Sequence, residues 1–140
     1  MRRRAGCRES GYVAAELALG VGLLVFPIAM LVLTVPTWAE RQSAARAIAR
    51  EAARTVAVDG HCDTGAARDV GSTMAANLGI RGGVDVALDC RAGERLRRGE
   101  RVTARVTVLM PAVQIPGIGA VGAWSWTAHH AEPIDQYRSF

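Results

Sequence analysis

Glu16 stands where a carboxylate is costly. It lies just before a stretch, Leu17 to Ala39, that has no charged side chain. At membrane depth a carboxylate costs on the order of 2–3 kcal/mol even on lenient insertion scales, so it needs a partner or must be neutral. The simpler account is a protonated or snorkelling group near the inner interface. Cys62 and Cys90 are the next candidates, both in the part of the chain that follows the apolar stretch. Joined, they would close a loop of about 29 residues and add about 3–4 kcal/mol in the chain-entropy model. Unjoined, they are two small residues in a small domain. His61 beside Cys62 and the pair His129-His130 bear metal-ligating groups. Adjacent residues on a strand point to opposite faces, however, and no spacing of the zinc type occurs. There is no phosphate-binding Gly loop or nucleophile motif, and aromatic residues are too few for a nucleic-acid stacking platform. The expectation is a protein that is not an enzyme and takes no cofactor, metal, nucleic acid or small-molecule substrate.

The element that must position Glu16 is a membrane helix. Leu17 to Val35 would rise about 28 Å as a helix, close to the hydrocarbon thickness of a bilayer. The span is assigned to residues 12–38, with Pro36 and Trp38 at the outer interface, where Trp is enriched. Pro27 should kink it or free a carbonyl. Ala14, Ala18 and Gly22 recur every four residues. Such a stripe lets a second helix approach closely, though Ala and Gly are also ordinary filler in membrane helices. Residues 1–11 form a basic leader that contains Arg2, Arg3, Arg4, Cys7 and Arg8 and carries most of the net charge of +4. The high pI therefore reports the leader, not a nucleic-acid surface. Arginines before a first span hold the N-terminus in the cytoplasm and send the rest outside, where cysteines oxidise. A secretory signal cut after Thr37-Trp38-Ala39 is the competing assignment; the long apolar run and the bulky Trp weigh against it.

Residues 39–58 predict an amphipathic continuation of the same helix. Ala44, Ile48, Ala52 and Val56 form an apolar stripe, and Arg46, Arg50 and Arg54 a solvated one. Asp59-Gly60 ends it. Residues 59–140 predict an exported α+β domain. Asp63 caps a short helix to about Leu78, with Ala66, Val70, Met74 and Leu78 on its inner face; Gly65 and Gly71 weaken that helix. Three alternating runs, Val84–Cys90, Arg101–Met110 and Trp124–His129, predict a small three-stranded antiparallel sheet. The first connection, 91–100, is a polar tip with Arg91, Arg95, Arg97 and Arg98. The second, P-A-V-Q-I-P-G-I-G-A-V-G, is an apolar loop that contacts a neighbour or lipid, or folds back over the sheet.

The leader ending R-E-S-G, the words Y-V-A-A-E-L-A-L and the apolar run that follows resemble type IV pilin-like proteins. The segment A-E-R-Q-S-A-A-R-A-I-A-R-E-A-A-R is similar to the Ala/Arg-rich continuation of TadE-like minor pilins, or pseudopilins, of the Tad/Flp pilus system. The resemblance covers residues 8–58; the closing H-H-A-E-P-I-D-Q-Y-R-S-F looks like actinobacterial members. Pilin processing sites often carry Phe after the Gly, where this chain has Tyr12. The resemblance implies that a prepilin peptidase cuts between Gly11 and Tyr12, leaving an ammonium on Tyr12. Glu16 would pair with that ammonium on an adjacent subunit, and Ala14, Ala18 and Gly22 would let the helices bundle. The partners implied are the membrane, other pilins and the pilus assembly machinery. The alternative is an uncut single-pass anchor that displays a small extracellular binding domain.

Overall fold

The computed structural model describes residues 10–80, 83–115 and 117–137. The leader up to Glu9, with Cys7 and its arginines, lies outside the described residues, as does Pro116 of the second connection. The element order is α1 (Ser10–Asp59), α2 (Thr64–Asn77), β1 (Val84–Leu88), β2 (Arg101–Ile115) and β3 (Gly119–Pro133). The fold is α+β, with the sheet packed against the second half of α1.

α1 is a single helix of 50 residues that continues across both Pro27 and Pro36. Its two halves meet different surroundings. In the first half Leu17, Leu24 and Phe26 are exposed. In the second half Ala45, Ile48, Ala49, Ala52, Ala53 and Val56 are buried, while Arg46, Arg50 and Arg54 stay exposed. The expected stripe is present and broader, because the small Ala side chains let the sheet cover a wider arc of the helix. Gly60, with φ 75°, ends α1 and donates its N–H to the Val56 carbonyl at 3.1 Å. That is the left-handed stop for which glycine is suited.

α2 begins at the Asp63 cap, whose Oδ1 accepts the Ala66 N–H at 2.9 Å. Its inner face is displaced from the expected one. Ala67, Gly71 and Ala75 are buried, Val70 and Met74 are half-buried, and Leu78 is exposed. Gly71 is what sets this face: a Cβ built there would lie 2.6 Å from Val86 Cγ2 of β1. The glycine that weakens the helix by propensity lets α2 lie close on the sheet.

The sheet has the order β1-β2-β3 and both pairings are antiparallel. β1 covers only residues 104–108 of β2, from Val84↔Val108 to Leu88↔Ala104. β2 and β3 pair in one register from Arg101↔Pro133 to Ile115↔Gly119. Strand alternation puts Val102, Ala104, Val106, Val108 and Met110 into the core against α1. β1 stops at Leu88, two residues short of the expected Cys90, whereas β2 and β3 extend well beyond the expected bounds, and the second connection is a correction. Residues 111–115 and 119–122 are not a loop but the end of a long hairpin, turned at Gly117-Ile118 with Ile118 N–H on the Ile115 carbonyl at 3.2 Å. It does not fold back over the sheet.

Candidate membrane and assembly surface

The first half of α1 is one candidate surface. Its most apolar window has a mean hydropathy of 2.5 and is only 6% buried, so it is long and apolar enough to cross a membrane and is not packed as a core helix. Tyr12 and Glu16, four residues apart, stand one turn from each other on the same side of the helix. Glu16 is exposed and lines a shallow apolar groove with Val13, Leu17, Gly20 and Leu24. Among the described residues it has no hydrogen bond or ion pair within the chain. Ala14, Ala18 and Gly22 are all exposed, and nothing else in the chain lies within 4 Å of a Cβ built on Gly22. Gly11 is described only as a position in the first turns of α1, adjoining Tyr12. The chain brings Glu16, Tyr12 and the small residues onto one free rod and leaves them uncovered by its own domain.

The second surface is where the hairpin meets α1, and sequence reasoning missed it. Thr34, Trp38 and Arg41 follow at spacings of four and three, so they share one helix face. All three bond to the backbone of β2 on the side that β1 no longer covers. Arg41 Nη1 donates to the Leu109 carbonyl at 2.6 Å, and Trp38 Nε1 donates to the Pro111 carbonyl at 2.6 Å. Gln114 N–H donates to Thr34 Oγ1 at 3.2 Å, and that hydroxyl donates to the Met30 carbonyl at 2.6 Å. Pro111 has no N–H, so it presents one backbone polar group fewer to be satisfied on this edge. Aromatic rings close the junction. Trp38 and Trp124 meet edge to face with centroids 6.4 Å apart, and the Arg46 guanidinium lies 5.5 Å from the Trp126 ring centroid. The signal available in the sequence was Thr34-Trp38-Arg41 itself: three side chains with donors at helical spacing across the end of an apolar run.

The far end of the domain is held covalently. Cys62 and Cys90 are bonded, with Cα atoms 6.0 Å apart and a separation of 28 residues. Around them Cys62 N–H donates to the Glu94 carbonyl at 2.8 Å, Gly93 N–H to Cys62 at 2.9 Å and Leu96 N–H to Gly60 at 2.9 Å. The first connection, expected as a polar tip, is thus strapped to the end of α1. A disulfide in so small a domain suits an extracytoplasmic setting. His129 and His130 fall on opposite faces of β3; His130 Nε2 lies 3.1 Å from Glu132 Oε2. Among the described residues no three His, Cys, Asp or Glu side chains converge as metal ligands.

A long N-terminal apolar helix that continues as the spine of a small disulfide-bonded α+β domain is a pilin-like architecture. Comparison with known proteins finds no matching family model, no matching curated protein and no matching solved structure.

Proposed function

We propose that this chain is a membrane-anchored pilin-like subunit, a TadE-like minor pilin or pseudopilin of a Tad/Flp-type pilus, that acts by assembly and not by catalysis. The observation that carries this reading is α1: one unbroken helix whose first half is apolar and exposed while its second half is the core of the domain. Exposed apolar surface of that extent needs lipid or other helices around it.

In this reading the leader lies in the cytoplasm, residues 12–38 lie in the bilayer and the disulfide-bonded domain faces outward. A prepilin peptidase cuts between Gly11 and Tyr12. The cut leaves an ammonium on Tyr12, and Glu16 of an adjacent subunit pairs with it, so that neither charge is stranded in hydrocarbon. Ala14, Ala18 and Gly22 admit the neighbouring helix. The partners are the membrane, other pilins and the assembly machinery, with no nucleic acid, cofactor or small-molecule substrate.

Intact mass and N-terminal sequencing of the protein extracted from membranes test this reading. A chain that starts at Tyr12 is expected. A chain that keeps its arginine-bearing leader leaves only a single-pass anchor displaying a small binding domain. A chain that starts after Ala39 and is absent from membranes overturns both.

A further inference from the structure

We infer that the tip of the β2–β3 hairpin, residues 112–115 and 117–121, is a second membrane-contacting element that beds its apolar side chains in the outer leaflet beside α1. The inference rests on α1 being a membrane span, and it goes beyond a single-helix anchor.

Two elements mark the same boundary independently. On α1, a span of about 20 residues counted from Leu17 ends near Pro36. The first charges beyond it are Glu40 and Arg41. On the hairpin, no residue from Val106 to Ala131 carries a formal charge apart from the His129-His130 pair. The contacts bring the two patterns to one level. Arg41 meets Leu109, Trp38 meets Pro111 and Trp124, and Thr34 meets Gln114. Arginines therefore lie outermost, tryptophans next and apolar residues beyond them on both elements, the order that a bilayer interface selects.

Depth follows from the helix rise. Thr34 lies about 3 Å and Met30 about 9 Å inside the level of Pro36. The hairpin continues past Thr34 toward its turn, and a cleft of about 360 Å³ between the two is lined by Phe26, Pro27, Met30 and Thr34 with Ala112 and Val113. The tip thus enters the headgroup and upper acyl layer, the depth of about 5–10 Å at which interfacial helices lie. There Ile118, 76% exposed, and Val121, 47% exposed, meet lipid instead of water.

Backbone polarity is the usual objection to strand in a membrane, because unpaired N–H and C=O groups are costly there. Here the inner strand has answers on both sides. β3 pairs with one edge of β2; on the other, Thr34 takes the Gln114 N–H within the tip, and Trp38 and Arg41 take the Pro111 and Leu109 carbonyls just before it. The outer edge of β3 stays within reach of water and headgroups at this shallow depth.

The test uses the full chain in vesicles of phosphatidylcholine and phosphatidylglycerol. An environment-sensitive fluorophore is attached through Ile118→Cys in a Cys7→Ser background, with the Cys62–Cys90 bond left closed. Val121→Cys is labelled as an independent second site, Leu24→Cys reports the span and Arg97→Cys the polar end. The Ile118 and Val121 labels are expected to be blue-shifted relative to Arg97. A nitroxide near the top of the acyl chain should quench them several-fold more than aqueous iodide does, whereas Leu24 is quenched best by a deep nitroxide. If iodide quenches Ile118 and Val121 while Leu24 stays lipid-quenched, the hairpin lies in water; the inference falls and the span stands. If iodide reaches Leu24, both fall. If the tip labels are shielded from iodide and lipid nitroxide alike, a second protein surface covers the hairpin, and the inference again falls.

Discussion

Thr34 is 2% exposed, although Leu33 and Val35 on either side of it are 47% and 46% exposed. The hairpin accounts for the difference. Thr34 Oγ1 accepts a hydrogen bond from the Gln114 N–H and donates one to the Met30 carbonyl. Thr34→Val keeps the shape and removes the acceptor, leaving a partly buried amide unpaired at a cost of about 1–3 kcal/mol. Amide exchange at Gln114 is expected to rise about ten- to hundredfold in the variant. Thr34→Ser, which keeps both bonds, should leave it nearly unchanged. Gly71 makes a second residue-scale case because two effects oppose. Alanine gains about 1 kcal/mol over glycine in a helix interior. At this site its Cβ would meet Val86 Cγ2 at 2.6 Å, inside a packed core, and overpacking costs about 1–3 kcal/mol. Gly71→Ala is expected to lower the melting temperature, and Val86→Ala in the same chain should recover part of the loss; additive losses would mean that the contact is not the cause. Propensity alone reads Gly71 as a flaw in α2. Only the approach of β1, which no local pattern encodes, turns it into a packing requirement.

At the scale of elements, periodicity carried most of the information. The Ala44–Val56 stripe, the Asp63 cap, the Gly60 stop and the β alternation of Val102–Met110 are local signals, and each corresponds to an element in the structure. The hairpin tip was not legible, because its strands lose the apolar–polar alternation where both faces become apolar, and its Gly and Pro residues imitate a loop. What holds it is non-local: β2 from Leu109 onward is bonded to helix side chains 68 to 80 positions away. The disulfide depends on compartment as well as on spacing. It ties the loop after β1 to the residues just before α2, with Cys62 fully buried and Cys90 packed against the core. Replacing both cysteines by serine is expected to cost about 3–4 kcal/mol by the chain-entropy model. The loss should show as a lower denaturation midpoint of the disulfide-bonded domain. An unchanged midpoint would mean that the backbone bonds among Gly60, Cys62, Gly93 and Leu96 hold this end by themselves.

For the whole molecule, the domain covers the second half of α1 and leaves Tyr12, Glu16 and the Ala14–Ala18–Gly22 line to something outside the chain. On the proposed pilin reading, the physical demand on that partner is charge. Glu16→Ala removes a group that costs about 2–3 kcal/mol at membrane depth, so insertion should be undiminished. Incorporation into pili is expected to fall, because the amine of a neighbour then has no counter-charge. In the same reading, blocking the proposed cut between Gly11 and Tyr12 removes the other half of the pair by withholding the amine. If the two groups act together, combining the variants should add little to either single loss, as residues of one interaction are non-additive. Counting subunits in sheared pili by quantitative immunoblot, with membrane-fraction levels as the control, separates the cases. Normal piliation in Glu16→Ala, or losses that simply add, would mean that Glu16 meets no neighbour's amine and that the uncovered rod is held by lipid alone.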